Sequence, residues 1–539
     1  MGEEGGGRSC GTTRELQKLK QQAMEYYREN DVPRRLEELL NSTFYLQPAD
    51  VYGHLANCFS KLAKPPTICK VVGKNVLDGL GLPTLQVEIF CTIQNFPKNI
   101  CSVVISTHFE VHENASPELA EAEELERLDA VSTAVQWVNE TITEELQGLV
   151  PSNQAEVDQV LRTFFENKVQ EDKERKELEK NLKDSTVLSP QPPPPPPPPP
   201  PPSKKKGQKQ GRMETAAEKP IIPAEPPEAV LCGSMAIGAV SLAVAKTSAM
   251  LDNNPLYLNI ALLKHHQEQP EKLTIPLLMV SLVSCGKSSP GKLNLMKEVI
   301  CIPHPGLTAK QSPPPKPEMK KSHDGGKRGQ SKGKYEVMMG TYKSAAEMVD
   351  LYVDLINKFP SIIALIDPFR KEDSEQWDSI YNALGSRCYI IAGTASQSIS
   401  KLLEEGNVSI LKYSGLIIRH TNQTTMSDLV EITSLIHGKK HIAVFGSTEG
   451  ESSDDSLVDL AVGLGVRFIK LGGLSRGERV TKYNRLITIE EELGQNGTLG
   501  FNEEHTFFYW NKEAEKAGEL PEVPEPIFPT EVAEELAKL

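Results

Sequence analysis

Long apolar runs and paired cysteine motifs are both missing from this sequence. No segment of the 539 residues approaches the roughly 20 consecutive apolar residues that a membrane-spanning helix needs. The first residues also lack the apolar stretch of a secretory signal peptide. The nine cysteines are scattered without C-x-x-C spacing, which favours reduced thiols over a disulfide framework. We therefore expect a cytoplasmic protein that does not bind a membrane.

Positive charge is also in short supply. The chain has 59 lysines and arginines against 73 aspartates and glutamates, a net charge of -14, which argues against nucleic acid as a partner. The 38% of hydrophobic residues suffices for two or three domains with a core. The forty prolines exceed an average share, so part of the chain is linker.

Two stretches have the composition of linkers. Residues 167–220 combine a charged helical pattern, an unbroken proline run over 192–202 and a basic segment. The proline run predicts a stiff polyproline II helix, which is either a spacer or a ligand for aromatic-lined grooves. Residues 304–334 are rich in proline, glycine and lysine, so we predict a disordered linker there.

The segment 14–64 has two apolar stripes at helical spacing. Leu36 and Leu40 belong to the first, and Leu55 and Phe59 to the second, after a proline placed to begin the second helix. A helical hairpin this short cannot bury both stripes alone. Its V-P-R-R-L-E-E-L-L-N and Q-P-A-D-V-Y-G-H-L pieces resemble the dimerisation and docking module of the DPY-30 and regulatory-subunit type. That resemblance implies a paired four-helix bundle that receives the amphipathic helix of an anchoring protein. The alternative is a helical cap on the next domain.

Residues 67–166 change from alternation to helical periodicity. Leu85, Val87 and Ile89 lie on one face of a predicted strand that follows a turn over 79–83. Helical patterns come next in the chain. We therefore predict an α+β domain that begins with a β-hairpin.

Strand and helix patterns then alternate over 221–303 and 335–510, before a tail at 511–539. Strand-like runs include I-I-A-L-I-D-P-F, R-C-Y-I-I-A-G-T, V-S-I-L-K-Y-S-G and H-I-A-V-F-G-S. The alternation predicts a parallel α/β barrel. Functional groups of such barrels lie at the carboxyl ends of the strands.

Motifs in the segment 441–494 carry a specific resemblance. Its D-L-A-V-G-L, I-K-x-G, R-x-E-R, K-Y-N-R-L and I-E-E-E-L-G pieces resemble the C-terminal barrel of the enolase family. The resemblance implies an α/β fold with an enolase-like N-terminal α+β domain and a TIM-type barrel, here preceded by the helical hairpin. It also implies a magnesium-dependent lyase of glycolysis that converts 2-phosphoglycerate to phosphoenolpyruvate and water.

By this resemblance, three residues carry the chemistry. Lys412 matches the base that removes the carbon-bound proton, Lys470 matches the lysine that binds the substrate carboxylate, and Glu298 matches the substrate-side glutamate. Lysine bases that work beside magnesium are known in this superfamily. The alternative for each lysine is a strand-end side chain that only reaches solvent.

The magnesium side of the resemblance is incomplete. Two family ligand positions hold Ile366 and Gly393, which leaves Asp367 as the remaining metal candidate. The phosphate-binding S-H-R-S loop corresponds to residues 446–449, which lose a guanidinium and gain a carboxylate. Metal polarisation stabilises an enolate-like transition state by several kcal/mol, so its loss costs on the order of three to five decades in rate.

The family also places several barrel elements where this chain has the linker 304–334. They include a G-D-E-G-G loop with the general acid and a strand with an aspartate ligand. Since strand number and tilt must agree for a barrel to close, we expect an incomplete barrel.

Three hypotheses follow for the whole chain. The first is a weak hydro-lyase, and the second is a catalytically silent structural subunit that pairs with itself or with other enolases. The third is a docking scaffold whose barrel is cargo. The layout resembles a divergent, sperm-associated branch of the family, which implies an address in the sperm flagellum.

Overall fold

The computed structural model describes residues 9–106, 117–186, 230–284, 298–311, 335–338, 341–370, 372–393, 402–403, 413–446, 452–474, 476–505 and 507. Three groups of elements follow one another along the chain. They are a set of helices, a three-stranded sheet with its helices, and a seven-stranded sheet with its helices.

The first group contains three helices, one more than the two apolar stripes predicted. They are α1 (Ser9–Glu29), α2 (Val32–Leu46) and α3 (Val51–Leu62). Helix α3 begins after Asp50, whose carboxylate accepts a hydrogen bond of 2.8 Å from the Gly53 amide, so Pro48 precedes the helix rather than beginning it. Among the side chains described in the three helices, only Thr43 is buried. These helices have almost no core of their own.

The second group is the predicted α+β domain. Strands β1 (Thr67–Leu77), β2 (Pro83–Ile93) and β3 (Phe96–Val104) form an antiparallel sheet in that order. Leu85, Val87 and Ile89 are all fully buried on one face of β2, as alternation predicts. The helices that follow are α4 (Pro117–Trp137), which continues through a π-helical turn (Val138–Ile142) into α5 (Thr143–Leu146), and α6 (Gln154–Thr186).

Two apolar helices, α7 (Met235–Leu251) and α8 (Leu256–Lys264), lead into the third group. Helix α7 is buried along most of its length and contacts β2, β3 and α6. No single helix in the described part of the chain is long and apolar enough to cross a membrane. Helices α7 and α8 meet that criterion only as a pair, with a bend of 107° between them.

The third group is built on a seven-stranded sheet with the order β5-β4-β12-β11-β10-β9-β8. All neighbouring strands are parallel except β4 and β5. The strands are β4 (Leu277–Ser284), β5 (Glu298–Cys301), β8 (Ala364–Ile366), β9 (Tyr389–Ala392), β10 (Gly415–Ile418), β11 (Ile442–Gly446) and β12 (Phe468–Lys470). A separate hairpin consists of β6 (Tyr335–Met338) and β7 (Thr341–Lys343).

Helices separate the parallel strands, as in the predicted barrel. They are α9 (Ala345–Lys358), α10 (Ser374–Leu384), α11 (Met426–Gly438), α12 (Ser456–Gly463) and α13 (Gly477–Gln495). Capping boxes begin α9 at Ser344 and α11 at Thr425, because each of these residues is followed three positions later by an acidic side chain.

One predicted strand falls mostly outside the described part of the chain. The pattern V-S-I-L-K-Y-S-G over 408–415 meets β10 only at Gly415, and residues 404–412 lie outside the described part of the chain. The strand itself is G-L-I-I, a buried run that pairs with β9 and β11. Burial on both faces explains its continuous apolar pattern.

The interior of the sheet is a layer of inward-facing apolar side chains. Its buried members are Leu277, Met279, Tyr389, Ile391, Ile417, Val444 and Phe468. Ile300 of β5 and Ile366 of β8, on the two edge strands, pack against the same layer. The sheet therefore curls into an incomplete barrel. Phe507, 4.7 Å from the Tyr389 ring between centroids, covers its amino-terminal end.

A buried carboxylate joins the second and third groups. Asp158 of α6 is 1% exposed and accepts hydrogen bonds from the Ser241 hydroxyl at 2.6 Å and from the Ser427 amide at 2.9 Å. Burial raises the pKa of Asp158, while these hydrogen bonds act in the opposite direction. Helices α6, α7 and α11 are thus fixed together beside the barrel.

Candidate active site at the carboxyl ends of the strands

The register of the sheet determines which side chains reach its carboxyl-terminal mouth. Phe468 of β12 packs in the apolar interior, so Lys470, two residues later, points to the same side at the end of the strand. Gly446 is the partner of Lys470 in β11. Glu298 begins β5, and because β5 runs antiparallel to β4, this beginning lies beside the carboxyl end of β4.

Lys470 and Glu298 form an ion pair at this mouth. The Lys470 ammonium lies 2.5 Å from Glu298 Oε2, and the side chains are 25% and 19% exposed. The Ser281 hydroxyl donates a hydrogen bond to Glu298 Oε1. The structure thus brings together two of the three residues that the resemblance assigned to the chemistry, and it adds a serine.

Asp367 and Gly393 lie on the other side of the mouth, at the ends of β8 and β9. Asp367 has a left-handed backbone with φ of 47°, and its amide donates to the Ile391 carbonyl at 2.9 Å. Its Oδ1 accepts a hydrogen bond of 2.7 Å from the Gly393 amide. A Cβ added to Gly393 would lie 2.9 Å from Asp367 Oδ2. The carboxylate of Asp367 therefore occupies the space that a side chain at position 393 would need.

These residues do not fit a magnesium ion. Ile366 and Gly393 offer no oxygen ligand from their side chains, the Asp367 carboxylate holds the Gly393 amide, and Glu298 pairs with Lys470. Within the ranges that the structure describes, no group of three or more histidine, cysteine, aspartate and glutamate side chains could hold a metal. Magnesium prefers several oxygen ligands in octahedral geometry, and the described residues of this mouth do not provide them.

Sequence reasoning missed Arg419 at the end of β10. The last paired residues of β10 and β11 are Ile418 and Phe445, so Arg419 and Gly446 are the next residues along each strand. A Cβ on Gly446 would lie 3.9 Å from Arg419 Nε. The signal was available in the sequence, because Ile417 points into the barrel and the residue two positions later faces the same way.

Several predicted residues lie outside the described part of the chain. They are Lys412 and the loop residues 447–449. The role of Lys412 as proton acceptor stays a prediction, as do the substrate-binding roles of Lys470 and Glu298. In sequence, Lys412 precedes β10 and Arg419 directly follows it.

An α+β domain followed by a curled parallel sheet with a polar mouth defines a protein of the TIM-barrel class. Residues 324–506 match the family described as enolase, C-terminal TIM barrel domain. A human protein named enolase 4 is 73% identical over an alignment that covers 100% of this chain and 99% of the relative. Mouse enolase 4 is 65% identical with full coverage of both chains. The chain belongs to the enolase family, which confirms the resemblance.

The alignment with the human relative also bears on the barrel. It runs over 619 positions, whereas this chain has 539 residues, so at least 80 positions have no counterpart here. Because the alignment covers 100% of this chain and 99% of the relative, most of these positions must be internal. An internal gap agrees with the incomplete barrel.

Proposed function

We propose that the mouth binds 2-phosphoglycerate and converts it slowly to phosphoenolpyruvate and water. The observation that carries the proposal is the Lys470–Glu298 pair at the carboxyl ends of an enolase-family barrel. The Lys470 ammonium attracts the substrate carboxylate, and Glu298 with Ser281 offers hydrogen-bonding oxygens beside it. Lys412 is the proposed proton acceptor.

Slow turnover follows from the donor set at the mouth. Magnesium is the cofactor of the family, and when bound it neutralises charge that develops on the substrate carboxylate. The described residues do not hold it, so the reaction lacks stabilisation worth several kcal/mol, on the order of three to five decades in rate.

The test is a coupled turnover assay of the full chain with 2-phosphoglycerate. Low turnover that disappears in Lys470→Ala is expected, because the variant loses the charge that binds the carboxylate. Lys74→Ala is the matched control, since Lys74 pairs with Glu88 at 2.7 Å in the α+β domain. The assay with Lys412→Ala tests the proton acceptor. Turnover that survives in Lys470→Ala contradicts the proposal, and complete inactivity of the full chain favours a silent structural subunit.

We also propose that α1–α3 pair with the same helices of a second copy. Large apolar side chains are exposed on all three helices, among them Leu16, Phe44 and Phe59 at 67%, 70% and 44%. Helices of this length are marginal in water without a packed apolar face. A second copy supplies such a face, as the resemblance to dimerisation and docking modules implies.

Light scattering of the full chain and of a variant that lacks residues 1–64 tests this pairing. The full chain is expected to form a dimer or a larger oligomer, and the truncated variant is expected to form a smaller one. Phe59→Glu is expected to act like the truncation, whereas Asn57→Glu, on an exposed position of the same helix, is the charge-matched control. An unchanged oligomer in both the truncated variant and Phe59→Glu contradicts the proposal.

Binding of an amphipathic peptide only to the full chain supports the anchoring-protein partner. Mixed oligomers with another enolase would identify a hetero-oligomer.

For location, we propose a cytoplasmic protein of the sperm flagellum. The described cysteines, including the buried Cys91, Cys101 and Cys388, are free thiols, as a reducing compartment favours. The flagellar address rests on the family branch that the layout resembles. Immunofluorescence on sperm with and without detergent extraction tests it, and staining confined to the head contradicts it.

A further inference from the structure

We propose that Arg419 binds the phosphate group of the ligand at the barrel mouth, without a divalent cation between them. The inference takes the class of ligand, a phosphorylated carboxylic acid, from the proposed function. It does not require that the ligand is turned over.

The position of Arg419 supports this role. Arg419 continues the row of residues at the ends of β10, β11 and β12, in which Gly446 pairs with Lys470. It follows the inward-facing Ile417 by two residues and is half-buried. Gly446 has no side chain, and a Cβ there would lie 3.0 Å from Ile417 Cγ2 and 3.9 Å from Arg419 Nε. The Arg419 side chain therefore leans over Gly446, toward the strand that ends in Lys470. Two cationic side chains on either side of Gly446 suit a ligand with two anionic groups, one of which shares the Lys470 ammonium with Glu298.

The chemistry of the side chain favours phosphate. A guanidinium is planar and offers paired N–H donors that match two oxygens of one phosphate. Lys470, a point charge already assigned to the carboxylate, lies on the other side of Gly446. Arginine also keeps its proton at all working pH values, so the end of β10 holds a group that binds anions and does not accept protons.

The disagreement with magnesium supports the same inference. The family's metal positions here are Ile366 and Gly393, and the Asp367 carboxylate fills the space beside Gly393. The cations described beside Gly446 are Arg419 and Lys470, the second of which is already paired with Glu298. A ligand held by these cations alone should bind equally well with and without magnesium.

Isothermal titration of the full chain tests the inference with two probes, 2-phosphoglycerate and glycerol 2-phosphate, which keeps the phosphate and lacks the carboxylate. For each probe, the Kd in excess EDTA is expected to equal the Kd in magnesium. Arg419→Gln should weaken both by about tenfold or more, because a charge-assisted pair is lost. Arg419→Lys should fall between, since it keeps the charge without the planar fork.

Arg387→Gln is the matched control, because Arg387 lies before β9 at the opposite end of the sheet, where it donates to Asn357. It should leave both Kd values unchanged. A normal Kd in Arg419→Gln, or binding that disappears in EDTA, overturns the inference. If the glutamine variant does not fold, the EDTA comparison and Arg419→Lys decide. Binding that depends on Arg419, in a chain that shows no turnover, contradicts the proposed reaction and supports this inference. Turnover that is unchanged in Arg419→Gln supports the proposed reaction and contradicts this inference.

Discussion

The two sides of the barrel mouth have diverged to different degrees. On the side of β12, β4 and β5, Lys470 and Glu298 remain at the positions that the family resemblance assigns, joined by an ion pair of 2.5 Å. On the side of β8, β9 and β10, the family's metal positions hold Ile366 and Gly393, and Arg419 directly follows β10. One side keeps the side chains that we propose contact a substrate, and the other holds side chains without oxygen ligands at the family's metal positions.

The difference teaches that binding and catalysis can be lost separately from one fold. Attraction of an anionic ligand needs only cations at the strand ends, which both sides still supply. Rate acceleration needs interactions that strengthen in the transition state, and the metal provided these in the family. A chain that keeps the first and loses the second should bind its ligand well and turn it over slowly.

The largest expected effect concerns the side of the mouth with Lys470 and Glu298. Glu298→Ala leaves Lys470 half-buried without its carboxylate partner and removes the acceptor of the Ser281 hydroxyl. We expect the residual turnover to fall by roughly 10- to 100-fold, since a hydrogen bond to a charged group contributes about 1.5–3 kcal/mol. The coupled assay measures it. Turnover equal to that of the unmodified chain would show that this side does not act on the substrate.

The next largest effect is expected at the ends of β8 and β9, where Asp367 and Gly393 lie. Gly393→Asp forces a Cβ to within 2.9 Å of Asp367 Oδ2 and places two carboxylates together, so the free energy of unfolding should fall by about 2–3 kcal/mol. Gly393→Ala has the same Cβ without the charge and should lose less. Urea denaturation measures both. The double variant that combines Gly393→Asp with Ile366→Glu should gain no magnesium-dependent turnover, because the Asp367 carboxylate still fills the space beside position 393.

Acid should weaken the barrel as a whole. Burial lowers the pKa of His420 and of His441 to about 4, against 6.5 for an ordinary histidine. Between these values the unfolded chain binds more protons than the folded one, so the free energy of unfolding falls as the pH drops through this window. Each histidine should contribute on the order of 1 kcal/mol by pH 5.

Urea denaturation at pH 7 and pH 5 measures this dependence. His441 packs edge-on against Tyr413, so His441→Phe keeps a ring in place and should reduce the loss of stability at pH 5. Equal loss in both proteins would exclude His441 as a contributor.

The smallest effect is expected at the other lysine–glutamate pair. Lys74 and Glu88 lie 2.7 Å apart, against 2.5 Å for the pair at the mouth, but Lys74 is 51% exposed. Exposed pairs contribute about 0–1 kcal/mol, so Glu88→Gln should leave turnover unchanged and lower the unfolding free energy only slightly. A loss of activity as large as that of Glu298→Ala would remove the distinction between the two pairs.

Much of this organisation could be predicted from the sequence. Alternation gave the buried face of β2, and the motifs of the segment 441–494 gave the family and the place of Lys470 at a strand end. Glu298 also lies where the resemblance put it. These features depend on local periodicity and on short motifs, which a single sequence contains.

Other features depend on strand pairing, which the sequence does not contain. The predicted strand V-S-I-L-K-Y-S-G stops at Gly415, whereas pairing with β9 and β11 extends the described strand to Ile418 and presents Arg419. The left-handed backbone of Asp367, which turns its carboxylate toward the Gly393 amide, has no sequence signature either. Helix α1 was not anticipated as a separate element, because most of its residues are polar.

The magnesium dependence of turnover tests the central claim most directly. The rate of phosphoenolpyruvate formation by the full chain should be measured at saturating 2-phosphoglycerate, from excess EDTA to excess magnesium. A rate at least about three decades below the ordinary enzyme range and unchanged by magnesium is predicted. A rate within the ordinary range that requires magnesium would contradict the account.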